Sequence, residues 1–182
     1  MKDRSKANRG KKLEKLIDDT NEYYKLLGEA TVEKIPTPFK VIGMAGPYSK
    51  GFFERGYLVD YIGNVKGHAI TFDAKETNEV SFPLKNLHET QFDFMEQWHY
   101  NGATVFLVVH FKRYDKYYRL KFETLEKYWY EALNGGRKSI PYKEFENEQE
   151  IFKIGELLHY LGGENNDKFR NEIRTGKVVR GK

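Results

Sequence analysis

The chain has 182 residues, 39% of them hydrophobic and 15% aromatic, a mean hydropathy of −0.76 and a net charge of +4. Such a chain can build one domain with a real core, while the absence of cysteine excludes disulfides and cysteine-ligated metal centres, and no apolar run approaches the ~18 residues of a membrane span. The charge is uneven: residues 1–12 carry +5 and residues 174–182 carry +4, so the body between them is −5, a distribution suited to gripping a polyanion or simply to solvated tails.

The opening MKDRSKANRGKK is basic with no apolar stretch behind it, so it does not read as a secretory signal. Leu13, Leu16, Ile17, Thr20, Tyr24 and Leu27 recur every three or four residues and predict an amphipathic helix over 9–27, closed by Gly28. ATVEKI reads as a strand, PTP breaks it, and FKVIGM resumes extended structure. GMAGPYSKGFFERGY, with its glycines and Pro47, reads as an irregular excursion. YLVDYIG and HAITFDAK form a hairpin-like pair around NVKG. A helix is predicted from a cap at Ser81 to Gly102. ATVFLVVHF is a buried central strand and KYYRLKF another, followed by helices near 123–134 and 148–161. The expected architecture is α/β, a mixed sheet flanked by helices. No internal repeat is visible, and the polar segment from about Glu164 onward reads as loose.

Within AITFDAK, alternation puts Ile70, Phe72 and Ala74 on the core face and Thr71, Asp73 and Lys75 on the other. Asp73 and Lys75 then stand ~6–7 Å apart, with Asp60 on the neighbouring strand. Two carboxylates and a lysine on a sheet suit Mg²⁺ beside a fixed positive charge, a combination able to activate water on a phosphodiester. The bland alternative is a surface ion pair of little consequence, since D-x-K occurs in many strands by chance. On the next helix Leu84, Leu87, Phe94 and Trp98 form an apolar stripe that Gln91 interrupts. A polar residue there must find a partner, either in the backbone or in a site. Glu14, at the edge of the first helix's stripe, is either a surface charge or a further acid reaching that site.

NRGKKLEKLI, KIPTP, VDYIG, FDAKET and SFPLKNLHETQ stand in the order, and with nearly the spacings, of RecU-type Holliday junction resolvases, which belong to the PD-(D/E)XK nucleases. The resemblance runs from about Asn8 to at least Val109. It implies a restriction-endonuclease-like core over residues 9–163, with a protruding stalk over 43–57 and tails at 1–8 and 164–182. It further implies a cytoplasmic, nucleoid-associated homodimeric endonuclease without membrane attachment. Such an enzyme nicks four-way junction DNA symmetrically in recombination and repair, using Mg²⁺ with Mn²⁺ as a substitute, alongside a branch-migration helicase or recombinase.

Carried over by position, Asp60 and Asp73 match the metal-binding acids and Lys75 the lysine of the (D/E)XK element. Gln91 matches the helix glutamine of the active-site region, and Glu14 the first-helix acid. DNA contacts fall to Arg9, Lys11, Lys34, Lys50, Phe53 and Arg55, with Phe53 the stalk aromatic. There are departures. The stalk segment Gly43–Gly56 is short, and its usual early arginine has no match other than Lys50 or Arg55. Leu58 and Val59 replace small hydroxyl residues, and Asp73 stands where Glu is frequent. The alternatives are another nuclease of the same superfamily, flap-directed or restriction-like, and a non-cleaving binder of DNA structures. The complete Asp60, Asp73, Lys75 set argues against the binder.

Overall fold

The computed structural model describes residues 10–36, 39–53 and 58–162. Its centre is a six-stranded sheet, lying between helices. In chain order the elements that build it are α1 (Lys11–Leu26), β1 (Thr31–Lys34), β2 (Phe39–Ala45), β3 (Tyr48–Phe53), β4 (Tyr61–Val65), β5 (His68–Thr77), β6 (Ser81–Pro83), α2 (Glu89–Tyr100), β7 (Thr104–Phe111) and β8 (Lys116–Lys121). They are followed by α3 (Phe122–Leu133), β9 (Ser139–Pro141), a single turn α4 (Tyr142–Phe145), β10 (Gln149–Ile151), β11 (Lys153–Ile154) and β12 (Leu157–Leu158). The main sheet runs β1-β4-β5-β7-β8-β10. Only β5 and β7 are parallel, with Asp73 opposite Leu107 and Lys75 opposite Val109; the other pairs are antiparallel. The expected mixed sheet flanked by helices is what the chain forms.

Both faces of the sheet are covered, which is why Val105–Phe111 is buried without a break. On one face Leu13, Leu16, Ile17 and Tyr24 of α1 pack against Tyr61, Ile70, Phe72, Phe106 and Val108. On the other, Phe92 and Met95 of α2 and Phe122 and Leu125 of α3 pack against Val105, Leu107, Val109 and Leu120. Asp73 and Lys75 therefore do not stand on a solvent face, as simple alternation suggested; they lie on the face roofed by α2.

The end of α1 is as read from sequence. Gly28 has φ +66°, its N–H reaches Lys25 O, and the Glu29 N–H reaches Tyr24 O. Four expectations change. Residues 81–102 are not one helix: Ser81–Pro83 pairs with β9, a 3₁₀ turn covers Leu84–Asn86, and α2 starts only at Glu89. The cap is His88, not Ser81. Its ring accepts the Thr90 N–H, while the Gln91 side chain accepts the His88 N–H. Residues 148–161 form short strands in place of a helix. Ile151 is needed as a sheet partner of Tyr117, Gly155 turns the chain at φ +62°, and the Leu158 N–H goes to Thr20 Oγ1 rather than into a helix. The excursion after Phe39 is regular, a β2–β3 hairpin turning at Gly46 with φ +62° and apart from the main sheet. Finally, Asp60 sits at a bend just before β4 rather than on a strand. The polar segment from about Glu164 onward, expected to be loose, lies outside the described residues, and among those described no helix is long and apolar enough to cross a membrane.

The last segment is tied to α1 by polar side chains of the helix's buried face. Thr20 Oγ1 takes the Leu158 N–H at 2.8 Å, and Asn21 Oδ1 accepts the Tyr160 hydroxyl. His159 is buried there edge-on to Tyr24, and burial pushes its imidazole down from 6.5 to about 4. Its folded value is depressed, so the unfolded chain takes the proton first, and stability falls as pH drops from 6.5 towards about 4. His159→Phe, which keeps a ring, should lose less stability over that window than the parent. Melting curves of both proteins at several pH values check this; parallel pH profiles would count against it.

Candidate active site

Asp60 is placed by its backbone and its side chain together. Its carbonyl accepts the Ile35 N–H at 2.8 Å, and its Oδ2 accepts the Ala74 N–H at 3.1 Å. The carboxylate is thereby fastened to β5 between Asp73 and Lys75. The Asp73 side chain is 0% exposed. Its Oδ2 accepts Gln91 Nε2 at 2.6 Å, whereas its Oδ1 faces the Lys75 ammonium, 2.8 Å away as an ion pair. Burial raises this carboxyl to about 8; Lys75 opposes the rise and the neighbouring Asp60 adds to it. The pair is not the surface ion pair of the bland reading, since Lys75 is itself only 17% exposed.

Gln91 resolves the question its sequence position raised. It is neither a plain core glutamine nor a surface residue. Its Oε1 accepts from Lys75 Nζ and from the His88 N–H, both at 3.2 Å. Its Nε2 donates to Asp73 Oδ2 and, at 3.3 Å, to Leu58 O. One amide thus closes the N-terminal cap of α2 and holds the aspartate and the lysine at once.

Glu14 stands in the first turn of α1, half-buried, with Oε2 bonded to Lys34 Nζ at 2.8 Å. Lys34 also meets Asp18 at 3.3 Å, and Asp18 in turn accepts the Tyr61 hydroxyl. Lys34 is therefore engaged within the protein, although exposed enough for a phosphate to compete. Glu14, Asp60 and Lys75 line one open cleft of about 530 Å³, together with Glu76, Lys85 and Lys112. Among the described residues no three acidic or histidine side chains converge as a ready metal cage. The acids able to hold a divalent cation are the pair Asp60 and Asp73, which fits a cation that also takes water and phosphate oxygens.

The expected DNA contacts are less gathered. Lys11 is exposed at the start of α1, and Lys50 is exposed on the β2–β3 hairpin. Phe53 is described in its backbone alone, paired with Phe39. Arg9 and Arg55 lie outside the described residues. Sequence reasoning passed over Glu76, Lys85 and Lys112. Glu76 had a signal, since alternation puts it on the opposite face of β5 from Lys75; Lys85 and Lys112 had none beyond their charge.

Residues 8–165 match the family model described as Recombination protein U. The chain belongs to the RecU family. Relatives within that family include the Holliday junction resolvase RecU of Pediococcus pentosaceus, 36% identical over 164 residues, spanning 85% of this chain and 82% of that one. The Holliday junction resolvase RecU of a Geobacillus species is 37% identical over 156 residues, 82% of this chain and 78% of that one. Among solved structures, the Holliday junction resolvase Hjc of Archaeoglobus fulgidus aligns with 73% of this chain and 90% of its own at 12% identity and a TM-score of 0.45.

The site geometry itself carries a prediction for this RecU-family chain. Gln91→Ala removes a donor from a wholly buried aspartate and opens the cap of α2. The loss should be about 1–3 kcal/mol of stability, the usual penalty for a buried polar group left unsatisfied. Denaturant unfolding measures it; a loss below about 0.5 kcal/mol, the level of an ordinary surface change, would show the amide to be dispensable to the fold.

Proposed function

We propose that this chain is a divalent-metal-dependent endonuclease that nicks four-way DNA junctions symmetrically, as a homodimer, in recombination and repair. The observation that carries the proposal is the wholly buried Asp73, clamped between Lys75 and Gln91 beside Asp60, in a chain of the RecU family. A carboxylate hidden this completely is costly to a fold, and two neighbouring carboxylates are what a hard cation takes up. Asp60 and Asp73 would hold Mg²⁺, or Mn²⁺ in its place. When bound, the cation supplies charge neutralisation at the phosphodiester and lowers the pKa of a coordinated water.

The chain's own residues do the rest. Lys75 Nζ has three donors; one is directed at Asp73 and one at Gln91, which leaves one for the open side of the cleft. There it binds a phosphate oxygen or orients the attacking water, and the ammonium stabilises negative charge that grows in the transition state. Gln91 fixes both Lys75 and Asp73 in productive orientation, and its own position is set by the capped start of α2. Glu14 adds a second acid on the far wall, available to accept a hydrogen bond from water. Binding of the DNA is assigned to exposed cations, among them Lys11 and Lys50, and to Lys34 on exchange of its carboxylate partners for phosphate. The hairpin tip is the element assigned to the junction centre; it exposes Met44 and Tyr48, 71% and 74%. Symmetric nicking needs two such sites related by a two-fold axis, hence two chains. A branch-migration helicase or recombinase is the expected functional partner.

Three variants and one additive test the site. Asp60→Asn, Asp73→Asn and Lys75→Ala should each lower nicking of a four-way junction by a factor of about 10² or more. Gel-shift affinity for the same junction should change little, because most of the phosphate contacts lie on other side chains. Chelation should silence the parent, and added Mg²⁺ or Mn²⁺ should restore it. Cutting by the Asp73 variant at the parental rate would refute the site, and equal loss of binding and cutting would assign these residues to DNA binding.

Light scattering should give twice the chain mass in solution and two chains per junction. A monomer in both states would remove the basis for symmetric nicking and favour an enzyme that cuts one strand, such as a flap-directed nuclease.

A further inference from the structure

The carboxylate of Glu76 is not used by the chemistry above, yet it is the best-partnered acid beside the cleft. It follows Lys75 directly on β5, so it points to the opposite face of the sheet, the face covered by α1. Its side chain is 12% exposed. Its Oε2 accepts from Lys112 Nζ at 3.1 Å and from the Gly10 backbone N–H at 3.2 Å, and its Oε1 meets His110 Nδ1 at 3.2 Å. Burial works against its charge, but the bonds from Lys112 and His110 prevail and hold it below the ordinary glutamate value.

The Gly10 contact is the informative one. Gly10 is the N-cap residue of α1 and has no side chain to cap the helix with. A carboxylate from another element meets its amide at the positive end of the helix dipole, where an anion is stabilising. Gly10 has φ +87°, its carbonyl accepts the Glu14 N–H at 2.9 Å, and a methyl group placed on it would lie 3.1 Å from Glu14 Oε1. A short path therefore runs from the strand carrying Asp73 and Lys75, through Glu76 and Gly10, to the acid on the far wall. Glu14, Gly10, Glu76 and Lys112 all line the same cleft as Asp60 and Lys75.

We propose that Glu76 is a positioning residue that clamps the start of α1 to the D-x-K strand and so sets Glu14 across the cleft from Asp60 and Lys75. The proposal rests on the nuclease reading of the cleft and adds to it a reason for Glu14 to be held at fixed distance. Lys112 and His110 lock the clamp's rotamer, and the cap, which a helix residue would ordinarily supply, is placed instead on the catalytic strand. Any shift of that strand is then transmitted to α1.

The test is a cycle between Glu76→Ala and Glu14→Gln in the full chain, read by junction nicking and by amide hydrogen exchange. Glu76→Ala should lower kcat about tenfold, a modest fraction of what misplacing a catalytic group can cost, and leave KM for the junction within about a factor of two. Exchange at the Glu14 amide should quicken while the amides of β7 stay protected, which separates clamp loss from unfolding. Glu76→Gln keeps an acceptor for Gly10 and should recover most of the rate. In the Glu14→Gln background Glu76→Ala should cost nothing further. The proposal is overturned by unchanged exchange at Glu14, by a full rate loss that adds to that of Glu14→Gln, or by a rate loss in a chain whose Glu14→Gln variant cuts normally. None of these touches the assignment of Asp60, Asp73 and Lys75, which fails separately if the Asp73→Asn variant cuts.

Discussion

Removing a carboxylate wholly from water costs several kcal/mol unless charge or hydrogen bonds replace the lost hydration, and Asp73 is removed wholly from water. Much of the local architecture answers that cost. Lys75 stands two residues on so that its ammonium reaches one oxygen, and α2 is laid across the sheet so that Gln91 reaches the other. The compensation is incomplete: burial outweighs the Lys75 charge, and the acid is driven towards its neutral form. A core built for stability alone would place an apolar residue opposite Leu107. Retaining an acid there marks a place where the fold gives up stability, as folds do at the sites they use.

The same frame shows what sequence could and could not reveal. The D-x-K spacing is a property of strand period, and it survives folding, so Asp73 and Lys75 share a face; the helical stripe through Gln91 does not, since Leu84 and Leu87 precede α2 and its buried residues are Phe92 and Met95. The central strand was legible because seven successive buried residues leave no other reading. Which face was the wet one was not legible. Alternation assigns residues to two sides but cannot tell that both sides are roofed, since the helices that do it are far away in sequence. The error over 81–102 has a local cause. Ser81 looks like a cap, but the following Phe82 is buried in a pair with Ile140, and Leu84 and Leu87 are core anchors on a 3₁₀ turn. A histidine then provides the cap that serine was expected to give.

The segment 148–161 failed for the opposite reason. Its apolar residues have some helical spacing, but its backbone donors are claimed elsewhere, by the edge of the sheet and by Thr20 of α1. Tertiary partners overrode a weak local preference, the commonest way in which propensity misleads. Lys34 shows a related limit in the site. By resemblance it is a DNA contact, whereas the fold surrounds it with Glu14, Asp18 and the Tyr61 ring. A phosphate there would have to compete with two carboxylates, a comparison that no residue pattern states.

The tie between α1 and the chain's later segment has a consequence for synthesis. Thr20 and Asn21 find their partners 138 and 139 residues further on, at Leu158 and Tyr160. The first helix leaves the ribosome early, with its apolar face and these two polar groups waiting for a segment not yet made. Contacts of such long separation form late, because the closing of so large a loop must come before they reward it. Glu14 rides on that helix. A nascent chain can therefore lay α1 on β4, β5 and β7 first, and the helix is fully fastened only when translation has passed Tyr160. The order of synthesis thus leaves the position of Glu14 the last part of the cleft to be fixed.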